Sequence, residues 1–265
     1  MRAIRALLIF LIGAVLSLTI TYFAVIRPRI RSWGVEPGEG EMPLPGDDLV
    51  SAATAIETRG ITIAAPPERV WPWLVQMGFG RAGWYSYDVL DNKGPSATEI
   101  VPEFQALKPG DIMPTHPGGG FLVKAVQAEH ALVLYSDTEL VRTQAEQAEA
   151  EGQTELPTAG LRATGALATA SLPEFAASWG FYLQPTGDGE TRLIERFRAR
   201  TPGNGPAQAV LGEIMGTGIV LMTRKQLEGI KERVEHLTAS PGEPRASEDL
   251  PRTPEVEPEA VPATV

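Results

Sequence analysis

Glu195 carries the sharpest chemical signal in the sequence. In residues 191–201 (TRLIERFRART) it shares alternating parity with Leu193, Phe197 and Ala199, so an extended chain sets its carboxylate among apolar side chains. A buried charge is costly unless paired, and desolvation raises its pKa. Such a carboxylate can anchor a ligand's polar head or act as a general base. A one-residue register offset, or an ion pair with an arginine of a neighbouring element, would explain it without function. The second signal is the aromatic segment Trp84, Tyr85, Ser86, Tyr87 and Asp88. Its hydroxyls and indole N–H suit the orientation of a ligand against an apolar wall. Ordinary packing, with Asp88 as a helix cap, is the alternative.

Other patterns exclude chemistry. Residues 78–83 (GFGRAG) spell G-x-G-x-x-G, but a helical pattern precedes them and an aromatic run follows. A dinucleotide loop requires a strand before and a helix after. These glycines are expected to end the helix and allow a tight turn. His116, His130 and His236 lack ligand spacing, Asp88 and Asp91 form no metal pattern, and there is no cysteine, no nucleophile elbow and no P-loop. No metal, cofactor or catalytic constellation is expected. The formal charge of −10 and pI near 4.9 argue against nucleic acid as a partner. Protein partners are unspecified.

These side chains need elements to hold them. Residues 57–64 (ETRGITIA) alternate as a strand through Ile61 and Ile63. After Pro66 and Pro67, the positions Val70, Trp71, Trp73, Leu74 and Met77 recur at helical spacing. Residues 110–114, 120–128 and 131–136 read as strands, and 175–184 and 191–201 as a hairpin joined by PTGDG. One parity of 175–184 collects Phe175, Ala177, Trp179, Phe181 and Leu183, which should share a face with Leu193 and Phe197. A long helix from about 206 to 237, capped at Asn204 or Gly205, closes the order. Consecutive strands with helices segregated at the ends define an α+β fold.

Outside that domain lie three further regions. Residues 6–26 (ALLIFLIGAVLSLTITYFAVI) carry no charge. As a helix they would run about 32 Å, enough for a hydrocarbon core of about 30 Å. A secretory leader has a shorter apolar core and a small-residue cleavage site, whereas Arg27, Pro28 and Arg29 follow here directly. The expected division is an anchor at 1–27, a juxtamembrane linker or packed arm at 28–55 and a domain at 56–237. Within the domain an Ala/Glu-rich insertion spans about 144–169, in part helical. An acidic, Pro-rich tail at 238–265 is too poor in large apolar residues to order itself. Arginines flank the span on both sides; a single-pass protein of the cell membrane with a cytoplasmic domain is expected.

The order of elements and several local sequences resemble the SRPBCC or START-like superfamily, the helix-grip fold of the birch pollen allergen and of polyketide cyclase-type proteins. The resemblance rests on 61–78 (ITIAAPPERVWPWLVQMG), 83–88 (GWYSYD), 179–183 (WGFYL) and 229–231 (GIK), and covers about 56–237. The GWYSYD segment is similar to that of a bacterial subgroup that often carries an N-terminal membrane segment. The insertion departs from the pattern. The resemblance implies a curved antiparallel sheet wrapped around the C-terminal helix, with a ligand cavity between them. Trp84, Tyr85, Tyr87, Trp179, Phe181, Leu183, Leu193, Glu195 and Phe197 are its expected lining. Three functions remain open: tethered binding of a lipid- or isoprenoid-like molecule, a cyclase- or dehydrase-type enzyme, and an interaction domain with a filled interior. A hollow below about 300 Å³ would favour the third.

Overall fold

The computed structural model describes residues 2–151, 174–200 and 206–238. The tail, the proposed helix cap at Asn204 or Gly205 and most of the insertion lie outside them. The chain opens with helix α1, Arg2–Thr21, continued by a π turn at Tyr22–Ile26 and by α2, Arg27–Arg31. Ile9–Arg31 has a mean hydropathy of 2.4 and none of it is buried, long and apolar enough to cross a membrane; a signal sequence passes the same test. Thr19 Oγ1 donates back to the Val15 carbonyl at 2.8 Å, so this hydroxyl adds little polarity to the helix surface.

Six antiparallel strands follow: β1 (Ala55–Ile63), β2 (Ile112–His116), β3 (Gly119–Gln127), β4 (Ala131–Asp137), β5 (Ala176–Pro185) and β6 (Thr191–Arg200). The sheet order is β1-β6-β5-β4-β3-β2, a meander with the first strand returning beside the last. Register shifts interrupt β2/β3 between Pro114 and His116 and β3/β4 between Val123 and Ala125. Such irregularities bend and twist a sheet locally. Helix α3, Pro67–Val75, forms despite Pro72 and buries Val70, Trp73, Leu74 and Val75. A single turn, α4, covers Asp88–Asp91. Helix α5, Thr138–Ala150, starts before the expected insertion, because the Asp137 carboxylate accepts from the Leu140 N–H and caps it. The long α6, Pro206–Thr238, closes the domain. The α+β class and the antiparallel sheet held against the C-terminal helix are as the sequence led one to expect.

Both faces of the sheet are covered. On the face toward α6, Ile63, Leu132, Leu134, Phe181, Leu183 and Leu193 share one core with Trp73 and Leu74 of α3, with Met77 just after it, and with Leu227, Ile230 and Val234 of α6. On the opposite face, Ala131, Val133, Tyr182 and Ile194 meet Leu44, with Met42 and Leu49 packed alongside. The segment between α2 and β1 is therefore an arm packed on the domain. The arginines on the outward parity of β6 hold it there. Arg192 forms a two-pronged pair with Glu39, at 2.7 and 2.8 Å, which holds the Glu39 carboxyl below its usual range. Arg196 donates to the carbonyls of Met42, Glu39 and Gly40 and to Asp47 Oδ2.

Candidate functional site

Two local devices bring the chain between α3 and α4 against the sheet. Gly78, Gly80 and Gly83 have positive φ, and the amides and carbonyls of Gly78 and Gly83 bond each other, closing a tight turn after α3. The G-x-G-x-x-G string is thus a turn. Gly229 of α6 then allows the helix to lie directly on this loop, since a Cβ there would collide with the Tyr85 carbonyl oxygen. The consequence is that Trp84 and Ser86 flank a residue pinned under α6.

That residue, Tyr85, is 2% exposed and structural in its contacts. Its hydroxyl donates to the Trp73 carbonyl at 3.2 Å and receives from Gln76 Nε2 at 2.8 Å; its ring carries the Arg233 guanidinium at 4.7 Å. Burial pushes the phenol well above its ordinary value, so it stays neutral. Gln76, wholly buried, also accepts from Val101 N and Gln105 Nε2. No local pattern in the sequence marks Gln76 as this hub.

Between this face of the sheet and α6 lies a cavity of about 310 Å³. Trp84 and Ser86 of the loop, Asp91 of α4, Thr115 of β2, Phe121 of β3, Trp179 of β5 and Phe197 of β6 line it, with Met222, Thr223 and Gln226 of α6. Trp84 and Trp179 stack with centroids 5.2 Å apart and planes 17° apart, and Phe121 meets Trp179 edge-on at 5.7 Å. The size sits at the small end of the range for ligand pockets.

Of the nine side chains expected here, Trp84, Trp179 and Phe197 line the cavity. Phe181 lies behind Trp179, ring centres 5.1 Å apart, and Leu183 and Leu193 continue inward as packed core. The pairings Trp179 with Phe197 and Leu183 with Leu193 place these residues on one face of the sheet. Tyr85 is pinned as described, and Tyr87 is 47% exposed. Glu195 is fully buried but is not among the lining residues: Oε2 pairs with Arg59 Nη1 at 2.8 Å and Oε1 accepts from Trp179 Nε1 at 2.6 Å. The ion pair with an arginine of a neighbouring element is thus the arrangement found. Burial pushes its carboxyl above the ordinary value, opposed by Arg59 and by the indole N–H. Arg59 stands directly opposite Glu195 in register and also holds Glu57, which reaches Arg31 of α2 at 3.4 Å.

Asp91 and Ser86 line the cavity although neither is among the nine expected side chains; Ser86 was read only as part of the aromatic segment. Asp88 does not cap a helix; its carboxylate accepts from Ser96 N at 2.9 Å and Ser96 Oγ at 2.5 Å. Asp91, one turn on, has both oxygens buried without a hydrogen-bond partner, and Ser86 Oγ is likewise unpartnered. Burial raises the Asp91 carboxyl to about 6; the neighbouring Ser86 restrains the rise and the Asp88 charge adds to it. The only hint in the sequence was the i, i+3 spacing of two carboxylates beside an aromatic run. No group of side chains suited to a metal ion occurs among the described residues.

No family model and no curated protein matches this sequence. Among solved structures the chain is similar to a protein of Mesorhizobium loti, at 16% identity over 69% of this chain and 98% of that one, with a TM-score of 0.32. It is also similar to a hypothetical protein of Helicobacter pylori, at 8% identity over 75% and 98%, TM-score 0.39. A third is an aromatase/cyclase of Streptomyces sp. R1128, at 11% identity over 74% and 99%, TM-score 0.31. Likenesses at these identities and scores say nothing about activity. The fold assignment rests on the element order and strand register.

Proposed function

We propose that the domain binds an apolar small molecule, of lipid or isoprenoid type, in the cavity under α6, and that α1 tethers it to a membrane. The observation that carries the reading is the aromatic-walled hollow of about 310 Å³, with the stacked indoles of Trp84 and Trp179 on one side and α6 on the other. Removing apolar ligand surface from water contributes about 25 cal/mol per Å², so a small hollow suffices for useful affinity. Phe181, Leu183 and Leu193 support the wall from behind, and Glu195 fixes the indole edge. On the outer side of α4, Tyr87, Val89 and Leu90 are 47%, 98% and 68% exposed, an apolar rim suited to a molecule arriving from a bilayer. The reading includes membership of a membrane-anchored, cyclase-like bacterial group, with the domain on the cytoplasmic side, where Arg27, Arg29 and Arg31 follow the span.

The test is organic extraction and mass spectrometry of the full-length protein purified in detergent, beside Thr115→Trp, which fills the hollow. An apolar compound enriched with the wild type and lost from the variant supports binding. Identical extracts, containing bulk lipid alone, would refute it. One observation favours a second reading, a cyclase- or dehydrase-type enzyme in the same cavity. Asp91 offers a carboxyl in the cavity that burial raises to about 6, toward the range acid–base chemistry uses. Turnover of the extracted compound, absent in Asp91→Asn, would establish it.

A further inference from the structure

The cavity has one polar corner, and its chemistry is one-sided. Among the described lining residues, Ser86, Asp91, Thr115, Thr223 and Gln226 carry hydrogen-bonding groups besides the indoles, and none is a cation. Asp91 is the only one of them that carries a charge, and its two carboxylate oxygens are buried with no hydrogen bond of good geometry; Ser86 lies close enough only to temper its pKa. The other acidic groups nearby are already satisfied. Asp88 is taken up by Ser96, and Glu195 by Arg59 and Trp179. A desolvated carboxylate without a countercharge is costly unless something brought into the cavity supplies one. Aromatic faces, which attract cations, stand in the same lining at Trp84, Trp179, Phe121 and Phe197.

Building on the binding reading above, we propose that the ligand is an apolar molecule with a single protonated amine as its head, which donates to Asp91 while its body lies against the stacked indoles of Trp84 and Trp179. Ser86, beside the carboxylate, accepts a second N–H of the same head or donates to the ionised carboxylate. Carboxylic acids and phosphate-headed lipids are disfavoured by the same geometry, because their charge would face Asp91 with no arginine or lysine among the described lining residues to offset it.

The experiment uses the full chain in nanodiscs of zwitterionic lipid, with empty nanodiscs as blank, and calorimetric titration at pH 7.5. Three probes share one ring system: 2-naphthylmethylamine, 2-naphthylmethanol and 2-naphthoate. The amine is expected to bind about tenfold more tightly than the alcohol, and the carboxylate more weakly than either. Asp91→Asn is expected to bring the amine and alcohol to within about twofold of each other. A carboxylate that binds the wild type as tightly as the amine would overturn the proposal and leave the binding reading standing. An amine preference that survives in Asp91→Asn would do the same. If no probe binds, both fall together. The wild-type ratio needs no variant, so the proposal stays exposed to failure even if Asp91→Asn does not fold.

Discussion

The indole Nε1 of Trp179 donates to Glu195 Oε1 at 2.6 Å, and the same indole stacks on Trp84 across the cavity wall. One edge of the ring is held by a buried ion pair while its face borders the hollow. Glu195 in turn pairs with Arg59, Arg59 with Glu57, and Glu57 with Arg31 at the end of α2. The cavity wall is thereby joined through charged contacts to the helix that leaves the apolar span.

Trp179→Phe keeps an aromatic face but removes the N–H. Glu195 Oε1 is then buried without that donor, which costs about 2 kcal/mol of stability. Trp84→Phe removes no comparable hydrogen bond and is expected to cost about 1 kcal/mol. Thermal melts of the two variants, read side by side, should show the larger fall for Trp179→Phe.

The Arg59–Glu195 pair makes a sharper prediction in a double-mutant cycle. Arg59→Met leaves Glu195 buried without its countercharge and should cost about 3–5 kcal/mol, whereas Glu195→Met leaves Arg59 still paired with Glu57 and should cost less. The double variant, with Glu57 still paired to Arg31, should recover most of that loss. Additive losses, measured by denaturant unfolding, would show that the two residues are not coupled.

Asp91 sets a pH dependence with a defined sign. Its carboxyl is raised from an ordinary 3.8 to about 6, so the folded chain binds more protons than the unfolded chain between these values. Stability contributed by this group is therefore lost as pH rises through that window, and the penalty is constant above it. Asp91→Asn should stabilise the ligand-free protein by about 1 kcal/mol at pH 7.5, a figure discounted for partial solvent screening. The gain should shrink as pH falls and reach zero only below about pH 3, under the ordinary value of 3.8, where wild-type Asp91 is protonated in both states. Unfolding curves at the two pH values provide the check.

Gly229→Ala tests the seat of the Tyr85 loop. Helix propensity alone would favour alanine by about 1 kcal/mol. The added Cβ meets the Tyr85 carbonyl, part of a backbone that has no slack beneath α6. A net destabilisation of about 1–3 kcal/mol is expected in a thermal melt.

What the sequence revealed and what it concealed divide along contact range. The parities of β5 and β6 were readable because side-chain alternation is local, and they put Trp179, Phe181, Leu193 and Phe197 on one face. The partner of Glu195 was hidden, since Arg59 lies on β1, 136 residues away in the chain. A signal did exist. Glu57 and Arg59 share the parity of Ile61 and Ile63, and charged residues breaking an apolar stripe on two strands are candidates for pairing. The acidic stretch at 36–48 and the outward arginines of β6 were likewise visible separately, but which charges meet is a tertiary matter. Asp91 had only its spacing from Asp88 as a signal, because its isolation depends on Ser96 engaging Asp88, a contact no local pattern announces.

The most direct measurement of the central claim is a crystal structure of the protein as purified, inspected in the space bounded by Trp84, Phe121, Trp179 and Gln226. Continuous electron density for an apolar molecule lying along the two indoles, with its polar end toward Asp91, is the expected result. Side chains packed into that space, or ordered water alone, would contradict it.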